Sequence, residues 1–217
     1  KKASIVNQAR LHGGYHYPRS VATAIMSDDH KQRFTTDHKP FILFDFEKYY
    51  AIDKYGSLTD AAQFERFCKF MNIKCEPVYD HPHFNYDRLE QVFLTTEYTF
   101  DPILIGRFYK EKVLAESKIE VLLWHRVVEV ENGNGNWNVV LEDMDSGDKK
   151  PVKAASVINA TYCGSNGVNR QFGLEDIQLM HEISEIVFLT SPQLKNIGLT
   201  VMDGQFASLM PYGLSGL

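Results

Sequence analysis

The sequence predicts a mixed α/β protein with α+β layers, and three observations lead to that fold class. Helical and strand-like patterns interleave along the 217 residues without a steady βαβ alternation. Hydrophobic residues make up 44% of the chain and charged residues 24%, a balance typical of folded globular proteins. The longest apolar runs, such as Phe41–Phe44 and Ile186–Leu189, are four residues long. A membrane-spanning helix needs about 20 apolar residues, so we expect no association with a membrane.

The first half of the chain contains one strong helix signal between strand-like runs. The first 40 residues are predicted to be turn-rich. Ser57–Asp60 resembles a capping box, and behind it Phe64, Phe67, Cys68 and Met71 have the spacing of one helix face. β-Branched and aromatic residues predict three strands: Phe41–Ile52, Ile73–Tyr79 and Glu90–Tyr98.

The second half begins with a helix and continues with hairpins. Asp101 followed by Pro102 predicts a helix start, and the helix should end near Ser117. Two Asn-Gly dipeptides within Glu131–Asn136 predict a hairpin. Strand-like or alternating patterns predict the remaining strands: Ile119–Trp124, Arg126–Glu131, Trp137–Leu141, Ala155–Ala160, Ile177–Thr190 and Leu199–Met202.

Charge and cysteine content exclude several classes of function. The formal net charge is −5 and there is no basic stripe, so we expect no nucleic-acid partner. Three widely spaced cysteines form no CxxC pair, and His81-Pro82-His83 lacks further clustered ligands, so we expect no metal site. The odd cysteine count without a secretory signal predicts a cytoplasmic location.

Phosphate-binding loops are the next class of motif to test. Gly133–Asn138 contains alternating glycines, but it joins two strands and lacks a third glycine. We therefore interpret it as a plain hairpin turn. The sequence contains no complete GxGxxG or Walker loop.

The densest group of chemically active side chains is the segment Asn7–Ser20. It contains two arginines, two histidines, two tyrosines and the pair Gly13-Gly14 within 14 residues. Glycines allow the backbone to approach a flat ligand closely, and the neighbouring donors suit an anion or a polarised ring. The alternative is a structured surface loop.

The segment Asn7–Ser20 resembles the flavin-facing loop of the D-amino-acid-oxidase-like FAD-dependent oxidoreductases, which has small residues around a His-x-Gly core. Later stretches resemble the same superfamily in the same order: Phe100-Asp101-Pro102 opening a helix, Val127–Val130, Trp137–Val140, Ser156–Thr161 and Thr200–Pro211.

The resemblance implies a partial FAD/NAD(P)-binding-type domain plus an antiparallel β-sheet substrate domain. It assigns 1–40 and 100–170 to the first, and 41–99 and 171–217 to the second. Because the N-terminal GxGxxG unit is missing and the chain begins at Lys1, we expect an internal fragment of a longer protein.

The implied activity is an FAD-dependent oxidation of a C–H bond next to an amine or hydroxyl. The substrate is expected to be small and carboxylate-bearing, and the oligomeric state stays open. His12 or His16 is expected to act as base or polariser, while Tyr17 and Arg19 hold the carboxylate. The predicted FAD-binding residues are Asn7, Arg10, Leu11, His12, Gly13, Gly14, Val127, Val128, Ala160 and Thr161. The alternative function is a non-catalytic binding or interaction module without a cofactor.

Overall fold

The computed structural model describes residues 2–181, 183, 185–204 and 207–217. It contains two compact units. The first comprises Lys1–Lys112 and Glu185–Leu217, and the second comprises Val113–Ser184. The predicted domain assignment stays a prediction, but both 1–40 and 41–99 belong to the first unit.

Among its described residues, the first unit contains two sheets and four α-helices. Its helices are α1 (Lys2–Ile5), α2 (Val21–His38), α3 (Ala61–Met71) and α4 (Pro102–Ala115), the last of which ends beyond the unit boundary. Its strands are β1 (Arg10–Leu11), β2 (Ile42–Leu43), β3 (Glu47–Asp53), β4 (Cys75–Val78), β5 (Leu89–Thr95), β6 (Tyr98–Phe100), β10 (Ile197–Met202) and β11 (Ser208–Leu209).

The larger sheet has the strand order β11-β10-β3-β5-β4, and the smaller has the order β1-β6-β2. All pairs are antiparallel except β10 and β3, which run parallel from Ile197 opposite Glu47 to Met202 opposite Ile52. The prediction of mixed α/β class is confirmed. The larger sheet is mixed instead of purely antiparallel, because β10 enters it in the same direction as its neighbour β3.

Alternation of side chains along β3 divides the apolar residues between the two faces of the larger sheet. Tyr50 and Ile52 are buried with Phe64 and Phe67 of α3, which confirms the predicted apolar face of that helix. The cap differs from the prediction: Asp60, not Ser57, accepts a hydrogen bond from the backbone N–H of Gln63, and a reciprocal bond completes the capping box.

Helix α2 was not predicted from the sequence. Its apolar residues are five of the first six and then Phe34, so no apolar stripe runs along the whole helix, and only Ala24 and His38 of its 18 residues are buried. Helix α4 confirms the prediction at Asp101-Pro102, since the Asp101 carboxylate accepts hydrogen bonds from the backbone N–H groups of Ile103 and Leu104.

The second unit contains an antiparallel three-stranded sheet, β7-β8-β9, followed by a short helix, α5. The bounds are β7 (His125–Gly133), β8 (Asn136–Asp143), β9 (Lys149–Ala154) and α5 (Ser165–Gln171). The predicted hairpin is confirmed, and Gly135 takes a positive φ of 80° in its turn.

Three predicted strands are wrong: Ile119–Trp124, Ala155–Ala160 and Ile177–Thr190, the last as far as its residues are described. These apolar side chains find no partner strand, and Trp124 and Ile158 are 74% and 90% exposed. Strand propensity is therefore insufficient to form a strand where no neighbouring strand is available for pairing. Glu182 and Ser184, and Gln205 and Phe206 within the stretch Thr200–Pro211, lie outside the described residues.

No helix in the described part of the chain combines the length and apolar character needed to cross a membrane. Within the same ranges, no three His, Cys, Asp or Glu side chains are grouped to hold a metal ion.

Candidate functional site

The segment Asn7–Ser20 is anchored by strand pairing and by an Asn turn. Arg10 and Leu11 form β1, which pairs with Thr99 and Tyr98 of β6. The Asn7 side-chain oxygen accepts a hydrogen bond from the Ala9 N–H at 2.7 Å. Asn7 thus shapes the backbone that leads into the strand.

Arg10 is a buried hub of hydrogen bonds. Its Nη2 donates to the side chain of Gln8 at 2.7 Å and to the hydroxyl of Ser208. Its Nη1 lies 3.3 Å from Nδ1 of His16, and its Nε lies 3.6 Å from Oε2 of Glu97. Most of the hydrogen-bond donors of the guanidinium are therefore directed at groups of the protein itself. The guanidinium also places a fixed positive charge among its neighbours.

Glu97 and Lys48 place two further ionisable groups next to Arg10. The Glu97 side chain is fully buried and accepts a hydrogen bond from the Tyr50 hydroxyl at 2.8 Å. Lys48 is also buried, and its Nζ donates to Thr200 Oγ1 at 2.6 Å. Burial, followed by the Arg10 charge, holds the Lys48 pKa well below its ordinary value. Burial and then the Glu97 carboxylate raise the Tyr50 pKa.

Three aromatic rings lie together at the partly exposed side of this cluster. The ring centroids of His12, His16 and Tyr17 are 5.6–5.8 Å apart. Burial, then Arg10 and Lys48, lower the His12 pKa to about 4. Burial, Arg10 and His12 also lower the His16 pKa. Both imidazoles are therefore neutral at pH 7, and each offers one donor and one acceptor.

Arg19 is bound to a carboxylate of its own chain. Its guanidinium donates to Asp203, which also accepts a hydrogen bond from the Thr59 hydroxyl at 2.9 Å. Burial alone raises the pKa of Asp203, but the bonds from Arg19 and Thr59 outweigh it and the net pKa is lowered. The predicted carboxylate clamp at Arg19 stays a prediction, and a ligand has to compete with Asp203 for it.

The two glycines of the segment face the protein itself. A Cβ on Gly14, whose φ is +95°, would lie 3.2 Å from the Ala24 carbonyl oxygen of α2. A Cβ on Gly13 would lie 3.3 Å from Lys31 Nζ. The packing of α2 thus explains why glycine stands at position 14, without reference to a ligand.

Four predicted FAD-binding residues lie in the second unit. Val127 and Val128 are half-buried in β7, beside an irregularity of register between Val127 and Glu129. Ala160 and Thr161 are exposed, and Asn159 Oδ1 accepts hydrogen bonds from the N–H and hydroxyl of Thr161. The other predicted residues belong to the first unit, where Arg10, His12 and His16 form one cluster with Tyr17.

Four residues of the site were not identified from the sequence: Lys48, Tyr50, Glu97 and Asp203. A signal existed for two of them. Lys48 precedes the apolar run Tyr49–Ile52, and Glu97 stands between strand-like residues. An ionisable residue within a buried strand requires a partner, but the sequence does not say which one.

Comparison with known proteins gives only a distant structural likeness. No protein-family model matches the chain, and no curated protein matches it. Among solved structures, the chain is similar to the glycerol-3-phosphate dehydrogenase from Bacillus halodurans, determined in complex with FAD. The two are 14% identical with a TM-score of 0.46, and the match covers 77% of this chain and 28% of that one. The bound FAD and the activity are properties of that enzyme.

Proposed function

We propose that the chain is the middle portion of an FAD-dependent oxidoreductase. The proposed reaction oxidises a C–H bond next to an amine or hydroxyl of a small substrate that carries a carboxylate. The resemblance of Asn7–Ser20 to a flavin-facing loop supports this proposal. One structural observation carries it furthest: the buried Arg10 guanidinium lies 3.3 Å from Nδ1 of His16, whose ring packs beside that of His12.

The residues of the cluster fit the substrate side of such a site better than they fit a dinucleotide. Burial first, and then the Arg10 charge, lower the pKa of both histidines, and their neutral rings offer hydrogen bonds to a small polar substrate. Packing against Ala24 accounts for the glycine at position 14, while the predicted contacts of Gly13 and Gly14 with FAD stay a prediction. Ala160, Thr161, Val127 and Val128 remain the proposed contacts for the nucleotide part of FAD.

When bound, FAD supplies the hydride acceptor. The protein binds and orients the substrate and accepts its proton. His12 presents a neutral imidazole with a side chain 36% exposed, so one ring nitrogen is able to take a proton from a hydroxyl or ammonium group. His16 and Tyr17 lie beside it and orient the carboxylate, together with Arg19.

The proposal is tested by titrating the 217-residue chain with FAD and following flavin fluorescence. We expect weak binding at most, since the sequence contains no glycine-rich pyrophosphate loop, and tight stoichiometric binding would contradict this expectation. Small 2-amino and 2-hydroxy carboxylates are then added without oxygen, and bleaching of the flavin absorbance is recorded.

The matched variants for this test are His12→Asn and His81→Asn. His81 packs against Tyr49 and Phe84, and it belongs to a different part of the first unit. Loss of a general base predicts bleaching about 100-fold slower in His12→Asn, and an unchanged rate in His81→Asn. Equal rates in wild type and His12→Asn would reject the proposal and favour a binding module without cofactor.

A further inference from the structure

Two buried polar atoms face each other within the candidate site. His12 Nδ1 lies 3.8 Å from Glu97 Oε1. Both atoms are buried, and neither has a hydrogen-bond partner among the described residues. Leaving such a group unpaired costs about 1–3 kcal/mol. A ring movement of about 1 Å brings the two atoms within hydrogen-bond distance.

The chemistry of this pair fixes the direction of the bond. Glu97 already accepts a hydrogen bond from Tyr50 through Oε2 and lies beside the Arg10 guanidinium, both of which suit a carboxylate. A carboxylate only accepts hydrogen bonds. His12 therefore has to donate from Nδ1.

The second histidine has the opposite constraint. His16 Nδ1 lies 3.3 Å from Arg10 Nη1, and a guanidinium only donates. Nδ1 of His16 is therefore the acceptor, and a neutral His16 carries its proton on Nε2.

We propose that Glu97 and Arg10 are positioning residues that fix His12 and His16 in opposite tautomers, with His12 protonated at Nδ1 and His16 at Nε2. The site then presents one acceptor, Nε2 of His12, and one donor, the Nε2–H of His16, on rings whose centroids are 5.8 Å apart. Only the use of these atoms rests on the proposed function. There, His12 Nε2 accepts the substrate's proton and the His16 Nε2–H binds its carboxylate.

The tautomers are measured directly by nuclear magnetic resonance. Long-range proton–nitrogen correlation spectra of the ¹⁵N-labelled full chain, recorded without FAD at pH 7, show which ring nitrogen of each histidine carries the proton. Spectra of His12→Asn and His16→Asn assign the signals. We expect the proton on Nδ1 in His12 and on Nε2 in His16.

The variant Glu97→Leu removes the acceptor, and its matched control is Thr95→Val. Thr95 is buried nearby and loses a hydrogen bond to the Lys48 carbonyl oxygen. The proton of His12 should move to Nε2 in Glu97→Leu and remain on Nδ1 in Thr95→Val. A purely structural role for Glu97 would not shift the proton.

The inference is overturned if wild-type His12 carries its proton on Nε2, if wild-type His16 carries its proton on Nδ1, or if folded Glu97→Leu keeps His12 protonated at Nδ1. Should Glu97→Leu fail to fold, the wild-type spectrum decides alone. Because no flavin is present, this result is independent of the FAD titration, and either proposal can fail without the other.

Discussion

The pair Gly13-Gly14 separates a role in packing from a role in ligand binding. The perturbation is one methyl group at each position, in Gly13→Ala and Gly14→Ala. If both glycines allow a flavin to approach the backbone, as the sequence predicts, both variants should weaken FAD binding. The structure instead distinguishes the two positions by their own neighbours.

The magnitude for Gly14→Ala follows from its backbone and its contact. An alanine at φ +95° lies outside the favourable right-handed region, which costs about 1–2 kcal/mol. Its Cβ would lie 3.2 Å from the carbonyl oxygen of Ala24, a helix backbone atom that cannot easily move, and overpacking adds about 1 kcal/mol. We expect the free energy of unfolding to fall by about 2–3 kcal/mol.

Gly13→Ala should have little effect on stability. Its φ is not positive, and the nearest atom to a Cβ is Nζ of the flexible Lys31 side chain at 3.3 Å. We expect a change within about 0.5 kcal/mol.

The assay is urea unfolding of the 217-residue chain, followed by tyrosine and tryptophan fluorescence, with the slope m held as a check on the unfolded state. Equal losses in the two variants, or a larger loss in Gly13→Ala, would refute the packing argument. A folded Gly13→Ala that has lost FAD binding would support the flavin-facing interpretation of that residue.

Two further predictions concern Gly213 and His12 of the first unit. A Cβ on Gly213 (φ +55°) would lie 2.5 Å from Asp101 Cα, whereas Gly216 (φ +80°) has nothing within 4 Å. In urea unfolding, Gly213→Ala should therefore lower the free energy of unfolding by about 2–4 kcal/mol, and Gly216→Ala by about 1 kcal/mol or less. Similar losses in the two variants would contradict the close contact of Gly213 with Asp101. The second prediction follows from the lowered pKa of His12. Between pH 6.5 and about pH 4 the unfolded state takes up a proton at His12 more readily than the folded state does. The contribution of His12 to stability is therefore complete above pH 6.5 and is lost as the pH falls to about 4. This contribution amounts to about 1–2 kcal/mol once the exposure of the side chain is allowed for. His12→Asn should therefore flatten the dependence of the free energy of unfolding on pH between these limits. An unchanged pH dependence in His12→Asn would exclude the effect.

Local patterns along the chain were sufficient to predict the elements that depend on local physics. The Asn-Gly hairpin, the helix opened by Asp101-Pro102 and the apolar face of α3 all formed as expected, because turn geometry, capping and helical periodicity act within a few residues. The same patterns failed where a distant partner decides. The segment Ile119–Trp124 has strand propensity but pairs with no strand, and α2 forms although its apolar residues lack a helical period.

The sequence by itself determined the mixed α/β class and the concentration of reactive side chains in Asn7–Ser20. Only the tertiary structure decided which groups surround them. Glu97 follows Arg10 by 87 positions and Asp203 follows Arg19 by 184, yet the pairing of β6 with β1 and of β10 with β3 brings ionisable groups from distant strands into one unit. Burial and the charges of such neighbours lower the pKa of His12 and His16. Both effects depend on distances in space, which no local sequence pattern encodes.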